Sequence, residues 1–222
     1  MKQSALNKAY AASSALILSA AALAASPAQA VTVADPMGDF LNTYKGAKTG
    51  EFDVIASWVN YDANRDVFEL SATMAGNISP TSLAAYVWGF NRGKGTAGFG
   101  NSLGLTQVLF DRTVVVNANG SIVSGGVNVG AATIFGSTIT ATIAGSVLPE
   151  NGFSKANYTW NLWPRFTGNT FNGVSVSGVS AIPDFAPNAV NAAVTAVPEP
   201  STTALMFLGL GAFALLRRRA QR

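Results

Sequence analysis

The 222-residue chain contains no cysteine and no histidine. Without cysteine there is no disulfide, no thiolate metal site and no cysteine nucleophile. Without histidine there is no Ser-His-Asp triad and no imidazole-ligated zinc. Charge is scarce, at 11% of residues against about 25% in an ordinary soluble domain. Long helical patterns are missing too: no stretch beyond about ten residues in the middle of the chain keeps an apolar period of 3.6. Disorder does not follow from these absences, because 49% of residues are hydrophobic and the chain carries 4 Trp, 5 Tyr and 13 Phe.

The net charge of +3 and the pI near 9.3 come from the two ends. Lys2 and Lys8 lie at one end, and Arg217, Arg218, Arg219 and Arg222 at the other. Residues 31–196 hold 8 Lys or Arg against 10 Asp or Glu, so the middle is slightly acidic. It has no basic stripe, and nucleic acid is not expected as a partner.

The N-terminus reads as a secretory signal peptide over residues 1–30. Lys2 and Lys8 give a positive leader, and residues 11–25 (AASSALILSAAALAA) give an uncharged apolar run. Ala28 and Ala30 flank Gln29 in a small-x-small cleavage pattern. The apolar run is short for a spanning helix, which needs about 20 residues. Cleavage by signal peptidase would start the mature chain at Val31.

The C-terminus carries three features in order: Pro198-Glu199-Pro200, an apolar run from Thr203 to Leu216, and Arg217-Arg218-Arg219. The two prolines hold the chain extended ahead of the apolar run. A helix of about 16 residues would reach about 24 Å, short for an average bilayer. The Arg cluster would stay cytoplasmic and stop transfer, leaving the middle of the chain outside. This tail resembles the PEP-CTERM sorting signal of Gram-negative bacteria. The resemblance implies that an exosortase-type membrane protease recognises the tail and removes it, in a setting tied to exopolysaccharide. It covers about 26 of the 222 residues and implies a route rather than an activity.

Between the ends, residues 31–185 are read as an all-β domain, an antiparallel β-sandwich or jelly roll. Phe52 to Tyr61 and Val67 to Met74 form the clearest hairpin. Phe52, Val54, Ala56 and Trp58 share one face of the first strand, and Phe68, Leu70, Ala72 and Met74 alternate inward on the second. Further strands are expected at 85–91, 105–111, 113–117, 132–135, 138–144, 158–163 and 174–180. Asn119-Gly120 suits a tight turn with positive φ at both central positions, and Asn151-Gly152 and Asn172-Gly173 mark others. Residues 186–200 (APNAVNAAVTAVPEP) read as a flexible stalk, and 201–222 as a transmembrane helix with an Arg-rich tail.

Chemistry is sparse. Residues 93–98 (GKGTAG) match G-x-G-x-x-G, but a phosphate cradle needs a helix to follow, and a plain loop is expected. Asp35, Asp39, Glu51, Asp53, Asp62 and Asp66 crowd the first third of the domain. Asp35-Pro36-Met37-Gly38-Asp39 offers two carboxylates and a carbonyl around a turn, which calcium accepts. No EF-hand spacing is present, and turn capping is the favoured reading. The Asp-Pro-x-Gly-Asp segment ahead of an alternating hairpin also resembles carbohydrate-binding β-sandwich modules in outline.

Large aromatics in strands usually build the core, which is the expectation for Trp58 and Trp88. Tyr158, Trp160 and Trp163 are read the same way. An exposed sugar platform is their alternative, since NYTWNLWPR is aromatic on both faces. No paired carboxylates stand in a glycosidase pattern, and no Ser-x-x-Lys occurs in the domain.

The expectation is therefore an exported, non-enzymatic surface or matrix protein associated with exopolysaccharide. A carbohydrate-binding module, with or without calcium, is the alternative, and a secreted hydrolase ranks third. No cofactor is required. The C-terminal helix would hold the chain in the membrane before processing.

Overall fold

A computed structural model describes residues 30–197. The expected signal helix with Ala28, and the expected sorting helix with Pro198, Glu199, Pro200, Arg217, Arg218 and Arg219, lie outside the described residues. Residues 30–196 form one unit.

Two six-stranded sheets face each other. The first holds β1 (Val33–Ala34), β2 (Val54–Asp62), β3 (Val67–Met74), β9 (Thr138–Ala144) and β8 (Thr133–Phe135) in that order, with β14 (Thr195–Ala196) also on β2. The second runs β13 (Ala192–Ala193), β10 (Thr159–Phe166), β4 (Ala84–Asn91), β5 (Arg112–Asn117), β6 (Ser121–Ser124) and β7 (Val127–Ala131). A hairpin of β11 (Thr170–Phe171) and β12 (Val174–Ser175) stands apart. All pairings between these strands are antiparallel except β14 on β2, which is parallel.

The core between the sheets follows from strict alternation. On β3, Phe68, Leu70, Ala72 and Met74 are buried, and on β9 Ile139, Ala141 and Ile143 meet them. Tyr86, Trp88 and Phe90 of β4 and Tyr158, Trp160 and Leu162 beside them supply the opposite wall. Phe68 stacks on Tyr158 at 5.8 Å and tilts against Phe90. Two buried polar tips find partners: Tyr158 Oη donates to the Leu148 carbonyl, and Trp160 Nε1 to that of Ala193.

The second sheet is apolar on its outer face as well. Val87, Val108, Trp163, Ile182 and Phe185 form a smaller core there, closed by Phe99, Leu103, Leu105 and Phe110. Trp163 lies 5.1 Å from Phe99 and from Phe110 between ring centres. Gly89 makes this possible: a Cβ there would stand 2.5 Å from the Trp163 ring. All eight residues of β4 are buried for the same reason.

Several expectations are corrected. Residues 105–111 form no regular strand, because they wrap over the outer core. Residues 174–180 give only the two residues of β12 and then a 3-10 turn at Gly178–Ala181. At Asn119-Gly120 only Gly120 has positive φ, whereas Asn172 and Gly173 both do. The expected stalk is part of the domain through Ala196. Ala186 is buried and bridges Leu162, Val194 is buried, and β13 and β14 add to the two sheets. Small Ala and Val side chains fit against sheet edges where their composition suggests a linker.

Gly89→Ala should force Trp163 out of its seat and lower stability by about 1–3 kcal/mol, the usual cost of overpacking. Urea denaturation of the two proteins measures it, and equal midpoints would refute the packing account.

Candidate functional site

The three residues weighed as a sugar platform are all buried. Tyr158 and Trp160 are 0% exposed and Trp163 is 3% exposed. The run is aromatic on both faces because β10 is sandwiched between two apolar layers. It offers no ring to solvent, so an exposed platform of these residues is not formed.

Trp58 takes the opposite place. The register of β2 on β3 shifts between Val54 and Ala56. This bulge exchanges the faces, so Val54, Ser57 and Val59 point inward while Ala56, Trp58 and Asn60 fall on the outer face. Trp58 is thus half-buried on the outer surface of the first sheet. Its row across the sheet is Trp58, Ser71, Thr140 and Thr133, and the next is Ala56, Thr73, Thr138 and Phe135. Glu69, Thr133, Thr140 and Thr142 line a shallow depression of about 370 Å³ with Trp58. Phe135, 86% exposed, stands on the same face. Hydroxyls and one carboxylate around a flat ring can hydrogen-bond a polyhydroxylated ligand while the ring covers its apolar face. Alternation alone puts Trp58 inward; only the bulge turns it out.

The G-x-G-x-x-G segment is a folded loop. Asn91 Oδ1 accepts the Gly93 and Gly95 N–H groups at 2.9 Å, and Asp111 Oδ2 accepts that of Lys94. A one-turn helix, α1 (Gly100–Leu103), does follow, contrary to expectation. With these three N–H groups spent on side chains, no phosphate cradle is formed by them. Asp111 also takes Arg92 Nε at 2.8 Å and Asn151 Nδ2 at 3.0 Å. Burial pulls its carboxyl up, but these donors outweigh it and hold the group below the ordinary carboxylate range.

The acidic turn gathers more than its own residues. Oxygens of Asp35, Asp39 and Asp184 lie within 4.8 Å of one another. Asp184 arrives from the loop before Ala186-Pro187, a cis peptide bond, and nothing in the local sequence announces it. Its carboxylate accepts the Val54 N–H at 3.0 Å and the Phe185 N–H at 2.6 Å. Asp53, at the start of β2, accepts the Gly38 N–H at 2.8 Å from beneath the turn. Burial, then the charges of Asp184, Asp39 and Asp53, push Asp35 up to about 8. Burial pushes Asp184 up to about 7, with Asp39 and Asp53 adding to it against the two N–H donors. None of the four carboxylates forms a salt bridge among the described residues. The cluster does not line the depression at Trp58.

The remaining evidence lies in the tail. Residues 196–220 match the family model for the PEP-CTERM protein-sorting motif. The chain ends in a PEP-CTERM sorting signal. Neither the curated proteins nor the solved structures hold a match to the chain. The PEP-CTERM motif implies export, a membrane-anchored signal before cleavage, and processing by an exosortase. Among the described residues, no helix is long and apolar enough to cross a membrane.

Asp111 gives a test of the loop. Its folded pKa is depressed, so its contribution is present above about pH 4 and is lost as pH falls through the folded value. Asp111→Asn should cost about 1–3 kcal/mol at pH 7. That gap should shrink at pH 3, as read by urea unfolding at both pH values. A gap of equal size at pH 3 would place the effect in packing instead.

Proposed function

We propose that this chain is an exported, non-enzymatic surface or matrix protein, delivered by its PEP-CTERM signal into contact with exopolysaccharide. The sorting motif carries this reading. The described domain supports it: its Trp88, Trp160 and Trp163 rings serve packing. Its carboxylates stand on turns and loops or in ion pairs such as Arg92–Asp111 and Lys155–Asp66. A glycoside hydrolase would need two carboxyl groups flanking its substrate across an open cleft. Two members of the acidic cluster, Asp53 and Asp184, are engaged by backbone N–H groups instead.

Processing is tested by intact-mass analysis of wild type and Glu199→Ala from membrane and medium of the native cells. The wild-type chain should start at Val31 and end near Pro198 to Pro200, and the variant should keep its C-terminus. A wild-type chain that retains Arg222 would make the tail a plain anchor and remove the support for a polysaccharide setting.

The outer face of the first sheet favours a second, compatible reading, in which the domain holds glycan through Trp58. A half-buried Trp framed by Thr133, Thr140 and Thr142 suits a sugar ring. Trp58→Ala should weaken binding to the host's own polysaccharide at least about ten-fold, the loss expected of a central aromatic contact. Co-sedimentation measures it. Undiminished binding by the variant would exclude this face.

A further inference from the structure

Four carboxylates from three separate parts of the chain meet at one edge of the domain: Asp35 and Asp39 from the N-terminal arm, Asp53 at the start of β2, and Asp184 from the C-terminal loop. Asp35, Asp39 and Asp184 already place one oxygen each within 4.8 Å of the others. Ligands on opposite sides of a calcium ion stand about 4.6–5.2 Å apart, twice its bond length to oxygen. One ion therefore reaches all three.

The oxygens themselves ask for a partner. Asp35 Oδ2, Asp39 Oδ1 and Asp53 Oδ1 are all buried and without a hydrogen bond. Asp53 is the most telling, because its residue is only 3% exposed. Its Oδ2 accepts the Gly38 N–H from the middle of the turn that carries Asp35 and Asp39, so the carboxylate that bears the bare Oδ1 lies against that turn. A buried carboxylate oxygen without a donor is costly. Three such oxygens around one turn, with no lysine or arginine bound to any of them among the described residues, leave negative charge that a cation would neutralise. Every donor present is an oxygen, which suits a hard ion and disfavours zinc or copper.

We propose that Asp35, Asp39 and Asp184, supported by Asp53, bind one calcium ion that fastens the N-terminal arm and the 182–186 loop to the first sheet. Backbone hydrogen bonds fix Asp184 and Asp53, so the rigid half of the site is formed in advance. Asp35 and Asp39 close over it from the arm. Asp39 Oδ2 is already steadied by Asn188 Nδ2 at 3.0 Å, which ties the segment after Asp184 to the same cluster.

The test uses the full-length chain in detergent, stripped with EDTA and titrated with calcium chloride while thermal unfolding is followed. At 5 mM calcium the midpoint should rise by about 5 °C, with half-saturation at about 0.1–1 mM, the range of extracellular calcium modules. Asp39→Asn and Asp35→Asn, both at partly exposed positions, should each raise the half-saturating concentration at least ten-fold. Glu150→Gln, an exposed carboxylate elsewhere, should respond as wild type does. The readout is each protein's own difference with and without calcium, so a change in basal stability does not obscure it. A wild-type midpoint that calcium leaves unmoved would overturn the proposal, and so would a wild-type response in both aspartate variants.

Discussion

The domain depends on β10 being buried on both sides. Trp160 and Leu162 face the sandwich core, and Trp163 faces the outer one. Trp163 makes the second face of that strand apolar at its centre, so something must cover it. Two irregular segments do so: the loop that carries Phe99, Leu105 and Phe110, and the stretch through Ile182 and Phe185. Neither has a regular ladder, and both are held by aromatic contacts. Gly89 is the point where this arrangement becomes strict, since the strand beneath Trp163 must be without a side chain.

That covering explains where the acidic cluster comes from. The chain that packs Ile182 and Phe185 onto the outer face carries Asp184 between them, turned the other way toward Val54. An aspartate in such a place is fully enclosed, and its two backbone donors only partly satisfy it. The N-terminal arm supplies Asp35 and Asp39 to the same spot. The cluster thus stands where the N-terminal arm and the 182–186 loop meet the first sheet.

What could be read from the residues was what alternation controls. β3 and β9 are found at their expected limits because apolar and polar residues alternate there without interruption. Alternation puts Trp58 on the wrong face because one bulge between Val54 and Ala56 changes the phase, and a bulge leaves no mark in a two-residue period. Residues 105–111 look like a strand since they are apolar, but their apolar side chains serve a cap. The stretch 186–196 has the composition of a linker, yet alanine and valine also suit short edge strands. Asp35 and Asp39 were visible as a pair, whereas Asp184 joined them only through tertiary structure. The sorting tail was legible throughout, because its three parts are local and consecutive.

The two ends of the domain share one neighbour. β1 and β14 both lie along β2, and the Val31 N–H is bonded to Thr195 Oγ1 at 3.1 Å. Each of these end strands is two residues long, whereas β2 and β3 are zipped over nearly their whole length. A mechanical load entering through either terminus therefore meets a few edge hydrogen bonds first. It would peel β1 or β14 away before the central ladder carried any tension. A domain pulled by its ends in a viscous matrix would lengthen at this one edge and keep its sandwich intact.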